Sequence, residues 1–194
     1  MVYLIGVNHL VQHDAPRSEE IVGGKRTTFK AHVLEVIEKL DISILAEEFR
    51  EEAKKKCRVS ETTLEQFGKA KGIEHRFCDP TSIEREEKGI EKPDCDKREE
   101  IWLSRINDCK KRNVLFVCGD DHFESFRKKL IAAGFDVEHA PKCWRISNDE
   151  LFFRIPNQSF LGGASWCGCG TAKRMRHHER NRLRQVFSDA HTMP

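Results

Sequence analysis

Short apolar runs alternate with segments of helical period over most of this chain. Residues 2–6 (VYLIG) read as a buried strand. From Thr27 onward Phe29, Val33, Val36, Ile37 and Leu40 recur at i, i+4, i+7, i+8 and i+11, which makes one apolar stripe of a helix. DISILAEE reads as a second strand that ends in acids. Beyond the basic KKK at 54–56, Ser60 is the expected N-cap of a helix carrying Leu64 and Phe67, with Gly72 closing it. HRFCDP reads as a short third strand halted by Asp79-Pro80. The charged stretch EREEKGIEKPDCDKREE is expected to be exposed. IWLSRINDCKKR has helical period, with Trp102, Ile106 and Cys109 on one face. VLFVCG is the most apolar strand, and the helix after it places Phe123, Phe126, Leu130 and Ile131 on one stripe up to Gly134. FDVEHA is the fifth strand candidate.

Strand and helix therefore alternate, which predicts an α/β fold with a mainly parallel central sheet flanked by helices. Continuous apolar strands such as VLFVC fit a sheet covered on both faces. From about Asn148 the pattern weakens. Residues 1–147 read as one α/β domain, and residues 148–194 as an irregular C-terminal extension, disordered in part. Within that extension LFFRIP reads as an edge strand or a docking segment.

Composition narrows the classes. Hydrophobic residues make up 38% and charged residues 34%, with a net charge of +2, so no bulk attraction to nucleic acid or anionic membrane is indicated. No stretch approaches the roughly 18 apolar residues of a membrane span. The opening MVYLIGVNHL lacks a basic n-region and a small-residue cleavage site. The eight cysteines, of which Cys78 and Cys118 fall inside strands, then read as reduced thiols of a cytoplasmic protein.

Ligands of open parallel sheets bind beyond the carboxyl ends of the strands. In this chain His9 follows the first strand, Glu47 and Glu48 end the second, Asp79 ends the third, and His122 follows the fourth beside Asp120 and Asp121. Every strand except the edge candidate delivers a titratable group to one rim. Gly6 and Gly119 each stand three residues before a histidine, where a tight turn or a close approach can be made. Two imidazoles and a carboxylate form a donor set for a divalent metal such as Mn, Zn or Co, with His9, Glu47 and His122 as ligands. They equally suit acid–base work by His9 and His122 with Glu47 or Glu48. Strand parity does not choose between the two glutamates. Asp79 and Asp121 are candidate substrate-binding groups, although Asp79 before proline also suits a turn and Asp121 also suits a first helical turn. His32 reads as structural, and His13 and His75 as surface or packing residues. Cys167 and Cys169 with His177 and His178 lack the usual zinc-knuckle spacing. The basic segment at 173–184 could meet nucleic-acid phosphates, although a solvated terminus is the reading it favours.

The pieces YLIGVNH, ILAEEFRE and VLFVCGDDH together resemble the TIKI/TraB superfamily, which also includes erythromycin esterase-like and ChaN-like proteins. The likeness runs from Tyr3 to His122 and extends to about Ala140. It implies a histidine- and glutamate-centred pocket on an α/β sheet, with His9, Glu47 and His122 in the family positions. An arginine often joins that pocket, and Arg85 or Arg98 could take the place. The activities it implies are metal-dependent peptidase or metal-independent esterase with a histidine base. The chain lacks the membrane segments of typical members. The resulting expectation is a divalent-metal-dependent hydrolase acting on a small-molecule or peptide substrate through an ester, amide or phosphoester bond. The alternatives are a small-ligand, haem or nucleotide-binding module and a contact protein working through its basic tail.

Overall fold

Apolar runs with no polar face can be strands only if helices cover both sides of the sheet, and this one is covered so. The computed structural model describes residues 1–12, 24–91 and 94–139. Strands β1 (Val2–Val7), β2 (Ile44–Glu47), β3 (Glu74–Phe77), β4 (Val114–Gly119) and β5 (Val137–His139) form one five-stranded sheet in the order β3-β2-β4-β1-β5. All pairings are parallel, with Gly6 opposite Cys118, Val7 opposite Gly119, and Glu47 between Val117 and Phe77. The carboxyl ends of the strands therefore share one rim, as the sequence predicts.

Side chains alternate between the two faces. Tyr3, Ile5, Val7, Leu45, Leu115 and Val117 pack with Val11, Phe29, Val33 and Leu64. That face carries α1 (His9–Gln12), α2 (Lys25–Lys39) and α4 (Thr63–Lys71). Val2, Leu4, Ile44, Ala46, Phe116 and Cys118 pack with Trp102, Ile106, Phe126 and Leu130. That face carries α6 (Cys95–Ile106) and α7 (Phe123–Ala132). Short helices α3 (Ala53–Cys57) and α5 (Ser82–Glu87) lie in the connections on either side of β3, and 3-10 turns follow at Asn107–Cys109 and Asp120–His122.

Several local expectations shift. The cap of α4 is Thr62 and not Ser60: its hydroxyl accepts the Glu65 N–H while the Glu65 carboxylate accepts the Thr62 N–H. Of these two, Thr62 has an acid three residues on and so closes a reciprocal capping box, as Thr81 does with Glu84 at the start of the helix after β3. Helix α3 is unforeseen, because three lysines separate its two inward residues, Ala53 and Cys57. The charged stretch is not exposed throughout: it holds α5 and the first turn of α6, where Arg98 and Glu99 are buried. Ile131 is exposed, one residue beyond the Phe126–Leu130 stripe. Gly72, at φ 67°, does close α4. The extension at 148–194, with LFFRIP, the Cys167 and Cys169 pair and the basic tail, lies outside the described residues, as does His13. No helix among the described residues is long and apolar enough to cross a membrane.

Phe116 lies at the centre of β4, fully buried, with ring centroids 5.9 Å from Trp102 and 4.7 Å from Phe126. Phe116→Ala should lower unfolding free energy by about 3–5 kcal/mol. Urea denaturation followed by tryptophan fluorescence measures this.

Candidate functional site

The rim is organised by two adjacent carboxylates that point to opposite faces of β2. Glu47 shares the face of Leu45, toward α1 and α4. Glu48, just past the strand, is held by its N–H donating to Val117 O at 2.8 Å and faces α6 and the turn before α7. Parity thus sends one acid to each side of the sheet.

Glu48 is the acid that meets both histidines. One oxygen, Oε2, accepts the Gly119 N–H at 2.6 Å and stands 3.8 Å from His9 Nε2. The other, Oε1, accepts from Arg98 Nη2 at 2.6 Å and stands 3.5 Å from His122 Nε2. Burial pushes the Glu48 carboxyl up, but an imidazolium at His9, the Arg98 guanidinium and the Gly119 amide together hold it below the usual carboxylate range. The approach needs a missing side chain. A Cβ on Gly119 would lie 2.7 Å from His9 Nε2 and 3.0 Å from Glu48 Oε2. Gly6 serves the converse purpose, since a Cβ there would lie 3.0 Å from the ring of Phe123, the residue after His122.

Arg98 is 0% exposed and binds on several sides. Its Nε and Nη2 donate to Asp79 Oδ1 at 2.8 and 2.6 Å, Nη2 also to Glu48, and Nη1 contacts His122 Nε2 at 3.2 Å. Asp79 also accepts from Trp102 Nε1 at 3.3 Å and, on Oδ2, from Arg85 Nη2 at 2.6 Å. A guanidinium only donates, so His122 Nε2 must accept from it, and Nδ1 then carries the ring proton and donates to Glu99 Oε1 at 2.8 Å. The His122 ring packs edge-on against Trp102, with centroids 4.8 Å apart. Ser125 Oγ also donates to Glu99 Oε1, at 2.6 Å. Glu99 Oε2 is buried without a hydrogen-bond partner, and Lys129 Nζ stands 4.0 Å away.

Glu47, on the opposite face, is satisfied by other residues. It accepts from Thr62 Oγ1, from His75 Nε2 at 2.8 Å and from Gln12 Nε2 at 2.9 Å. Gln12 Oε1 in turn lies 3.0 Å from His9 Nδ1.

The predicted residues therefore divide. His9, Glu48 and His122 come together with Arg98 and Asp79. Glu47 does not join them, because parity turns it away. Arg98 is not open to a substrate, since burial and its acids enclose it. Asp121 is exposed on the turn before His122. His75 is more than a surface or packing residue, since it bonds Glu47. Gln12 and Glu99 belong to the network but carried no signal in the sequence beyond being polar, while Thr62 was marked only as the start of a capping box.

No group of three or more His, Cys, Asp or Glu side chains is arranged to hold a metal ion among the described residues. Both oxygens of Glu48 accept hydrogen bonds, and the lone pair of His122 Nε2 faces a guanidinium, whose positive charge would repel a second cation.

Removing Arg98 alone leaves Glu48 and Asp79 as buried acids with the guanidinium gone from between them. Arg98→Met should cost about 3–5 kcal/mol of folding free energy, measured by chemical denaturation. The depressed Glu48 carboxyl contributes stability that is present above its unfolded value, about 4.3, and lost as pH falls through the lower folded value. Stability should therefore decline below about pH 5, and Glu48→Gln should flatten that decline in a pH series of denaturation midpoints.

Comparison of the chain with protein-family models, with curated proteins and with solved structures finds no match.

Proposed function

We propose that this rim is the active site of a metal-independent hydrolase in which His9 transfers the proton. The observation that carries the reading is the difference between the two histidines around Glu48. His122 is 1% exposed, while the His9 side chain keeps 21% of its surface. Of the two, His9 is the one that can link the buried acid to a substrate arriving from solvent.

The chemistry follows from the partners. His9 takes a proton from water as the water oxygen attacks the carbonyl or phosphoryl centre. Glu48, ionised and within 3.8 Å, stabilises the imidazolium that forms. The proton is then returned to the departing alcohol or amine. Arg98 and His122 do not touch substrate in this scheme. Arg98 holds Glu48 in place and keeps it charged, and His122 accepts from Arg98. Arg85 is the second guanidinium on Asp79 and keeps 13% exposure, so it is the one that can meet an anionic group of the substrate. This is also the chemistry that the TIKI/TraB resemblance implies for members using a histidine base. The substrate class is an ester, amide or phosphoester of a small molecule or peptide.

Hydrolysis of p-nitrophenyl acetate and p-nitrophenyl phosphate tests the reading. His9→Ala should lower kcat by about 10²–10⁴ with the fold intact by circular dichroism. Prolonged EDTA treatment should leave the rate unchanged. Full activity in His9→Ala would sink the proposal, as would loss of activity on chelation that a divalent metal restores.

A further inference from the structure

His9 sits at the start of a single helical turn, where nothing in the backbone fixes its ring. What fixes it is a chain of donors and acceptors that leads away from Glu48, across β2, to the other buried acid. A carboxylate only accepts, so the Gln12 side chain must present its amide nitrogen to Glu47 Oε2, at 2.9 Å. Its carbonyl oxygen is thereby turned toward His9 Nδ1, at 3.0 Å. A carbonyl oxygen also only accepts, so Nδ1 must carry a proton. Gln12 is fully buried, its main-chain carbonyl accepts from Thr63 Oγ1 at 3.1 Å, and Glu47 is itself fixed by Thr62 and His75. The Gln12 amide therefore cannot swing round without leaving a buried carboxylate facing a carbonyl.

We infer that Glu47 and Gln12 are positioning residues that set the tautomer of His9, holding the neutral ring as Nδ1–H so that the lone pair on Nε2 is the one offered to a substrate proton. The inference rests on the reading of His9 as the proton-transfer group, but the tautomer itself is independent of any activity. The arrangement works against a local preference. His9 Nε2 is 3.8 Å from the Glu48 carboxylate, which would attract a proton on Nε2 and so favour the tautomer that is useless as a base. Glu47 wins because it acts through two hydrogen bonds of ordinary length, whereas Glu48 acts across a gap longer than a hydrogen bond. In a serine hydrolase triad a carboxylate orients the histidine directly. In this protein the carboxylate acts through an intervening carboxamide, so its charge is kept one side chain away from the ring.

Long-range proton–nitrogen NMR of ¹⁵N-histidine-labelled full-length protein, at a pH where His9 is neutral, reads the tautomer, with His9→Ala giving the assignment. The wild type should show the Nδ1–H form. Gln12→Leu removes the acceptor and should convert His9 to Nε2–H, donating toward Glu48. Glu47→Gln keeps the volume, frees the Gln12 amide to turn either way, and should give a mixture of both forms, so it serves if Gln12→Leu fails to fold. Nε2–H in the wild type overturns the inference, and so does a pure Nδ1–H signal in either folded variant. If the tautomer shifts as stated but His9→Ala hydrolyses both esters normally, the positioning chain stands and the catalytic reading falls.

Discussion

A guanidinium with no exposed surface has to be neutralised where it stands, and much of the rim follows from that requirement at Arg98. Moving an ion of this kind out of water costs several kcal/mol even after the protein relaxes. Asp79 and Glu48 supply the compensating charge at 2.6 Å, and His122 supplies a lone pair at 3.2 Å. Each comes from a different element: the end of β2, the turn after β3, and the turn after β4. Helix α6 docks with Arg98 against the carboxyl ends of β2, β3 and β4 and with Trp102, one turn on, buried beneath it. The indole donates to the same Asp79 oxygen and packs against the same histidine. A charge that would be a liability in isolation instead fixes the register of a helix against the strand ends.

The two Gly-x-x-His segments are paired by packing and divided by role. Gly119 has no Cβ because His9, arriving from β1, would strike one. Gly6 has none because Phe123, arriving from the far side of His122, would meet it. Each glycine at a strand end makes room for the segment that leaves the neighbouring strand, and β1 and β4 are direct neighbours in the sheet. The repeated spelling thus reflects one steric demand met twice. The histidines that follow do different work. His122 is enclosed by Arg98, Trp102 and Glu99, while His9 keeps access to solvent.

The sheet was legible because burial on both faces writes itself as an unbroken apolar run, and VLFVCG is buried at every position. The same property hid the choice between Glu47 and Glu48. A half-exposed strand shows by alternation which residues share a face, but ILA carries apolar groups to both faces and leaves no landmark for parity. Arg98 and Glu99 were lost in a charged stretch for a related reason. Composition along the chain counts charges singly, whereas folding satisfies them through distant elements: Arg98 by the charge of Glu48 fifty residues earlier, and Glu99 by a hydrogen bond from His122. Gln12 and His75 had no periodicity or motif to mark them, since their meaning lies in the acid they share. The capping box of α4 was available, because Thr62, unlike Ser60, has a glutamate at the right offset.

The neighbouring acids of β2 are held by unlike partners, and this separates their uses. Glu48 is balanced by a full positive charge, so it stays ionised and can stabilise a proton arriving on His9. Glu47 is bounded by a hydroxyl, a carboxamide and an imidazole. Those groups direct hydrogen bonds without bringing in a guanidinium, which suits an acid whose influence must reach His9 only as the orientation of an amide. Exchanging the two environments would defeat both. A guanidinium beside Glu47 would compete with Gln12 for its oxygens and release the amide. A carboxylate at 48 without Arg98 would lose its buried counter-ion, and burial would then push it toward the protonated form. Glu48 could then no longer stabilise an imidazolium, and His9 would lose the group that makes it an effective base. Adjacent residues of one type, sent to opposite faces by the two-residue period of a strand, thus come to serve the two ends of a single imidazole.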